Sequence, residues 1–185
     1  MRRKQNREKI PGIKGVSGSV FEASEPPSVV SVAYLTEEQA RIYLERQDMT
    51  LTEDIGVNIN SPGRYSSFAH VIRATVPKGR RIAISFNQQK SSDWVSPFTG
   101  SVTFEQEVLG VIILDRELDQ SDSLRAPGTI YATGERFRGL EFPGTPGAKR
   151  GYDTITVEPD KRRITIPLGL GPYPGQIRNL TAAEP

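Results

Sequence analysis

Apolar and polar positions alternate along most of this chain, and glycine or proline interrupts the alternation about every eight to twelve residues. Ile55, Val57 and Ile59 share one side of a run against Gly56, Asn58 and Asn60, and Ser61-Pro62-Gly63 turns the chain after it. Phe68, His70, Ile72, Ala74 and Val76 share a face within 67–76. Pro77-Lys78-Gly79 then precedes a second alternating run, 80–88, with Ile82, Ile84 and Phe86 on one face. The two runs read as a hairpin or as strands crossing between sheets. The clearest hairpin signal is Asp153–Glu158 and Arg162–Pro167 around Pro159-Asp160-Lys161.

Shorter runs fill in the rest. Ser19–Ala23 and Ser28–Ala33 flank Pro26-Pro27, and Thr129–Ala132 and Gln176–Thr181 follow later, the last expected at a sheet edge. Thr36-Glu37-Glu38-Gln39 has the spacing of a capping box, which predicts a helical turn leading into a strand over 40–46. The strongest apolar run is Val108–Leu114. It predicts a central strand, with Gly110 marking a bulge or a close approach of backbone. Roughly ten short strands with at most one short helix make an all-β chain, an antiparallel β-sandwich of jelly-roll-like form.

Length and composition agree with one domain. The chain has 185 residues, 36% hydrophobic and 25% charged, which suits a globular chain with a substantial core. Its 17 glycines and 14 prolines are scattered between the strands, as many turns require. The net charge of +2 is uneven: residues 1–14 hold six basic side chains against Glu8, so the remainder is net acidic. A flexible basic arm over 1–15 and a single sandwich domain over 16–185 follow from this. Arg2, Arg3, Lys4, Arg7 and Lys9 are the arm's candidates for phosphate contact by counterion release. No apolar stretch approaches the roughly 18–20 residues of a membrane span. The basic start is followed by Pro11, Gly12 and Lys14, where a signal peptide would carry its apolar region.

The chemistry open to the chain is narrow. With no cysteine and one histidine, zinc sites built from several nitrogen and sulfur ligands are excluded. His70 lies between Phe68 and Ile72, where a packed core or edge histidine is expected rather than a triad base. Neither glycine-rich nucleotide signature is present, so no nucleotide cofactor is expected. Carboxylates remain. Asp115, Glu117, Asp119 and Asp122 follow the apolar run as a predicted loop, with Arg116 and Arg125 as local counter-charges. Hard cations take oxygen ligands, so these four are the candidate Ca²⁺ ligands. Glu105 and Glu107 are expected on one face of the strand before the apolar run, the candidate acid pair for glycoside hydrolysis. Trp94, Phe98, Tyr131, Tyr152 and Tyr173 fall in or beside loops, where they would stack on sugars or plug the ends of the core.

A series of short motifs adds a resemblance. Pro27-Ser28-Val29, Tyr43-Leu44-Glu45-Arg46-Gln47 with Thr50-Leu51, Pro62-Gly63, Val76-Pro77 with Gly79, and Gly100-Ser101-Val102-Thr103-Phe104 come first. Leu109-Gly110-Val111-Ile112, Ser121-Asp122, Ala126-Pro127-Gly128-Thr129 with Tyr131, Phe137-Arg138-Gly139-Leu140-Glu141 and Gln176-Ile177-Arg178 complete the set. In this order, over about 27–178, the chain resembles a group of bacterial secreted domains of unknown function. Members are often found behind signal peptides and ahead of PEP-CTERM-type sorting signals, neither of which is read here. The resemblance implies an extracellular β-rich module and carries no catalytic residues.

Three functions follow as expectations. The first is a non-enzymatic extracellular or surface module for binding or adhesion, to a glycan or a surface protein, with Ca²⁺ ordering 115–122. The second is a capsid-like jelly-roll assembly protein whose basic arm meets nucleic acid. The third is a carbohydrate-active hydrolase using Glu105, Glu107 or the 115–122 carboxylates.

Overall fold

The computed structural model describes residues 9–18, 20–23, 25–30, 40–67, 70–88, 98–140, 142, 153–168 and 175–185. Among them, ten strands form two five-stranded sheets. The first runs in the order β1 (Ile13–Gly18), β8 (Phe98–Phe104), β11 (Arg163–Leu168), β10 (Ile155–Val157) and β5 (Gly63–Tyr65). The second runs β2 (Val20–Glu22), β3 (Ala40–Thr50), β7 (Arg81–Gln88), β12 (Ile177–Ala182) and β9 (Val108–Ile112). Two further strands, β4 (Ile55–Val57) and β6 (Ala74–Val76), form a small ribbon. The strand pairs are antiparallel except β2 with β3, so the expected all-β sandwich is the fold.

Two apolar layers hold it together. Between the sheets, Val102, Phe104, Ile164 and Ile166 meet Ile42, Val111 and Ile177. On the other face of the second sheet, Tyr43, Ile82, Ile84, Phe86 and Leu180 pack with Val57, Val76, Leu118 and Tyr131. The period-two pattern of β7 sends Ile82, Ile84 and Phe86 to this outer layer. The second sheet is thus buried on both faces. Each large apolar side chain fully buried here contributes about 1.5–3 kcal/mol.

The expected hairpin at the C-terminal side forms: β10 pairs with β11, Thr156 opposite Thr165 and Val157 opposite Ile164. The runs 67–76 and 80–88 do not pair with each other. Of the first, only β6 is strand, and it pairs with β4, while β7 enters the second sheet. His70 is not a core residue; it is exposed, in a turn where its N–H donates to the Ser67 carbonyl. The 36–39 capping-box segment lies outside the described residues, and β3 runs on to Thr50, beyond the expected end at 46.

Two strands exchange their expected places. The apolar β9 is an edge strand, and the polar β12 is central, between β7 and β9. β9 is apolar because its edge is covered: Asn58 and Ile59 N–H groups both donate to the Val111 carbonyl, and Val111 N–H donates to Ile59. Gly110 marks the expected bulge, and the group that comes close to it is the Val57 side chain rather than backbone. A Cβ there would lie 2.6 Å from Val57 Cγ1, and the β12–β9 register slips between Leu180 and Thr181.

Residues 9–13 of the expected arm are joined to the body of the fold. Ile10 and Ile13 are buried, and Lys9 pairs with Glu105 at 2.8 Å instead of standing free for phosphate. Arg2, Arg3, Lys4 and Arg7 lie outside the described residues.

Candidate functional site

The segment after β9 is a helix, not a loop: α1 spans Asp115–Ser121, followed by a 3-10 turn at Asp122–Leu124. The run Asp-Arg-Glu-Leu-Asp-Gln-Ser reads as solvated because Leu118 is its only apolar residue. One signal favours a helix: acidic Asp115 and Glu117 stand in the first turn, and Leu118 is then the residue that packs into the outer layer of the second sheet. Asn58 fixes the turn from β9 into α1. Its Oδ1 accepts from Ile113 N–H at 2.8 Å and from Leu114 N–H at 3.1 Å.

The α1 carboxylates grip a strap, Phe137-Arg138-Gly139-Leu140. Asp115 accepts from the N–H groups of Phe137 and Gly139, one on each oxygen, both at 2.8 Å. Asp119 and Asp122 accept from Arg138 Nη1 at 2.6 and 2.7 Å. Arg138 Nε donates to Gln176 Oε1, and the Arg138 carbonyl accepts from Gln176 N–H. Phe137 holds a φ of 58°, in the left-handed region. Gly139 is obligatory, since a Cβ there would lie 2.1 Å from the Ile113 carbonyl oxygen. The four expected Ca²⁺ ligands therefore do not form one open loop: Asp115, Asp119 and Asp122 already have amide or guanidinium partners. Among the described residues, no group of three or more metal-ligating side chains is assembled.

Behind the helix the charges are buried. Arg138 and Arg178 are both 0% exposed. Arg178 Nε and Nη2 donate to the two oxygens of Glu45, at 2.7 and 2.9 Å. Its Nη1 donates to Ser121 Oγ, the Leu118 carbonyl and Asp122. Its guanidinium carbon lies 5.0 Å from the Phe86 ring centre and 5.2 Å from that of Tyr131. Asp122 bridges the two arginines. Burial would raise its pKa, but the hydrogen bond and charge of Arg138, with Thr133 and Arg178, outweigh burial and hold it below the ordinary aspartate value. Burial also opposes the charge of Arg178, and the Glu45 carboxylate overcomes it, so that arginine stays charged. Of the two roles open to Tyr131, stacking on a sugar or filling the core, the ring takes the buried one. Its hydroxyl donates to Glu45, and burial and that carboxylate push its pKa up. Trp94, Tyr152, Tyr173 and the Phe98 side chain lie outside the described residues.

Glu105 and Glu107 lie in the β8–β9 connection and not on a strand face. Lys9 and Lys161 hold them at 2.8 Å each, and those lysine hydrogen bonds lower both pKa values. A general acid for glycoside hydrolysis needs the opposite shift.

The outward side of α1 is different. A cavity of about 410 Å³ opens there, its apolar wall made by Val71, Ile72, Leu114, Phe137 and Leu140. Asn58, Arg73, Asp115, Arg116 and Glu117 supply its polar lining. A second hollow of about 340 Å³ adjoins it, and Arg73, Arg116 and Glu117 line both. Neither arginine has an ion-pair partner among the described residues. The hollow thus combines an apolar wall with a few polar and charged side chains. Sequence reasoning missed Asn58, Arg73, Phe137 and Leu140 and read Arg116 as a counter-charge to its acidic neighbours. The only local signal was Asn58 on the polar side of an alternating run. No protein-family model, curated protein or solved structure matches the chain.

Proposed function

We propose that this chain is a non-enzymatic binding module, acting outside the cell or at its surface, that receives its ligand in the cavity beside α1. The observation that carries the reading is the contrast in pairing. The buried carboxylates Glu45 and Asp122 are held by arginine, while the cavity's two guanidiniums have no ion pair among the described residues. A wall fixed by Gly139, Asn58 and the strap is preorganised, which lowers the ordering cost of binding. The extracellular setting follows the resemblance to secreted β-rich domains.

The reading is tested by ¹H–¹⁵N NMR titration with neutral oligosaccharides and with small alcohols, amines and carboxylates. At least one class is expected to give saturable shifts at residues 71–73, 114–117 and 137–140, with the ligand recovered unchanged. Ile72→Trp, at a rim position 40% exposed, should block those shifts while keeping the melting temperature. Absence of any saturable shift at the cavity, or chemical conversion of the ligand, would overturn it.

A further inference from the structure

We infer that the cavity takes a small apolar molecule ending in a single carboxylate, gripped by Arg73 and Arg116. This rests on the cavity being the binding site. Guanidiniums stay charged at any physiological pH and match a carboxylate with paired N–H donors. Elsewhere in the molecule Arg81, Arg138, Arg178, Lys9 and Lys161 hold carboxylates. Arg73 and Arg116 hold none among the described residues, and they line both hollows.

Asn58 is the second, independent observation. It is 1% exposed and lines the same cavity. Its oxygen is taken by the Ile113 and Leu114 N–H groups, so the NH₂ is the group left over. An amide NH₂ at the cavity wall can donate to a ligand oxygen.

Charge balance sets the valence. Arg73 and Arg116 against Asp115 and Glu117 leave the lining with no net charge, and the oxygens of Asp115 are turned to the Phe137 and Gly139 amides, so each negative charge a ligand brings is an excess. A monoanion fits this better than a phosphate dianion. The apolar wall takes the ligand's body, and the volume is in the range of about 300–1,000 Å³ usual for small organic ligands.

The test compares hexanoate, hexan-1-ol and hexylamine on the wild-type chain and on Arg73→Gln/Arg116→Gln, by calorimetry and NMR titration. Hexanoate should bind about tenfold more tightly than hexan-1-ol, weaken as salt rises, and lose about tenfold in affinity in the double variant. Hexan-1-ol should bind both proteins alike. Cavity shifts with hexan-1-ol that equal or exceed those of hexanoate, or hexanoate binding unchanged by the double variant, would overturn the carboxylate while leaving the binding site in place. Shifts with none of the three probes would remove the carboxylate and count against the site itself.

Discussion

Helix α1 separates two clusters of charge that differ in how their members are satisfied. On its inner side Arg138 and Arg178 are wholly buried, and their guanidinium donors reach Asp119, Asp122, Glu45, Gln176 or Ser121. On its outer side Arg73 and Arg116 line the hollows with Glu117 and make no ion pair among the described residues. Taking a charge out of water costs several kcal/mol, so a buried guanidinium persists only where partners meet its donors. An exposed one keeps its water and needs no partner. The inner cluster is therefore architecture: it ties β3 and β12 to α1 and the strap. The outer cluster is free to receive something else, and the first makes the second rigid.

The largest expected effect breaks the inner cluster. Arg178→Leu leaves Glu45 and Asp122 buried without their shared cation, and loss of one partner of a buried pair costs about 3–5 kcal/mol. Urea unfolding at pH 7 measures it. A loss below about 1 kcal/mol, the ceiling for an exposed pair, would mean that the two clusters do not differ in kind.

A second test uses pH. The ordinary aspartate value is 3.8, and Asp122 lies below it in the folded chain. The native state then binds fewer protons at this site than the unfolded state does. Its contribution is complete above pH 3.8 and drains away as pH falls through the lower native value. Asp122→Asn should be less stable than wild type at pH 7, and the gap should narrow on acidification below that point. Unfolding curves at a series of pH values give the gap directly; one that stays constant from neutral to strongly acid pH would show that the Asp122 charge is not its source.

The contrast also explains what the sequence discloses. Period-two alternation reports how many faces of a strand are covered, and it located β7, the β10–β11 hairpin and the sandwich. It does not report a strand's place in its sheet. β9 looked central because the 58–59 segment covers its edge, and β12 looked like an edge because Arg178, Asn179 and Thr181 are polar. Those side chains are buried through partners far along the chain: Arg178 meets Glu45 across 133 positions, and Asn179 Nδ2 meets Asn87 Oδ1 across 92. No local window contains both members of either pair. The carboxylates of α1 were visible as a cluster, but their partners lie on the strap and on β12. The acidic run thus read as available when most of it is not. The cavity was the least legible feature, since its lining comes from residues 58, 71–73, 114–117, 137 and 140, which only the fold brings together.

The smallest expected effect on stability is the most informative about the outer cluster. Arg73 and Arg116 are exposed and make no ion pair among the described residues, so Arg73→Gln/Arg116→Gln removes no described contact between charges. Surface substitutions of this sort shift stability by about 0.5 kcal/mol or less. Removing two cations beside Asp115, Glu117 and Asp119 leaves more net negative charge on α1, which opposes any gain from relieving the repulsion between the two arginines. The melting temperature of the double variant should therefore match that of wild type in ligand-free buffer. With hexanoate added, wild type should gain stability by mass action and the variant should not. If the double variant instead loses stability comparable to Arg178→Leu, the outer arginines are structural as well, and α1 separates nothing.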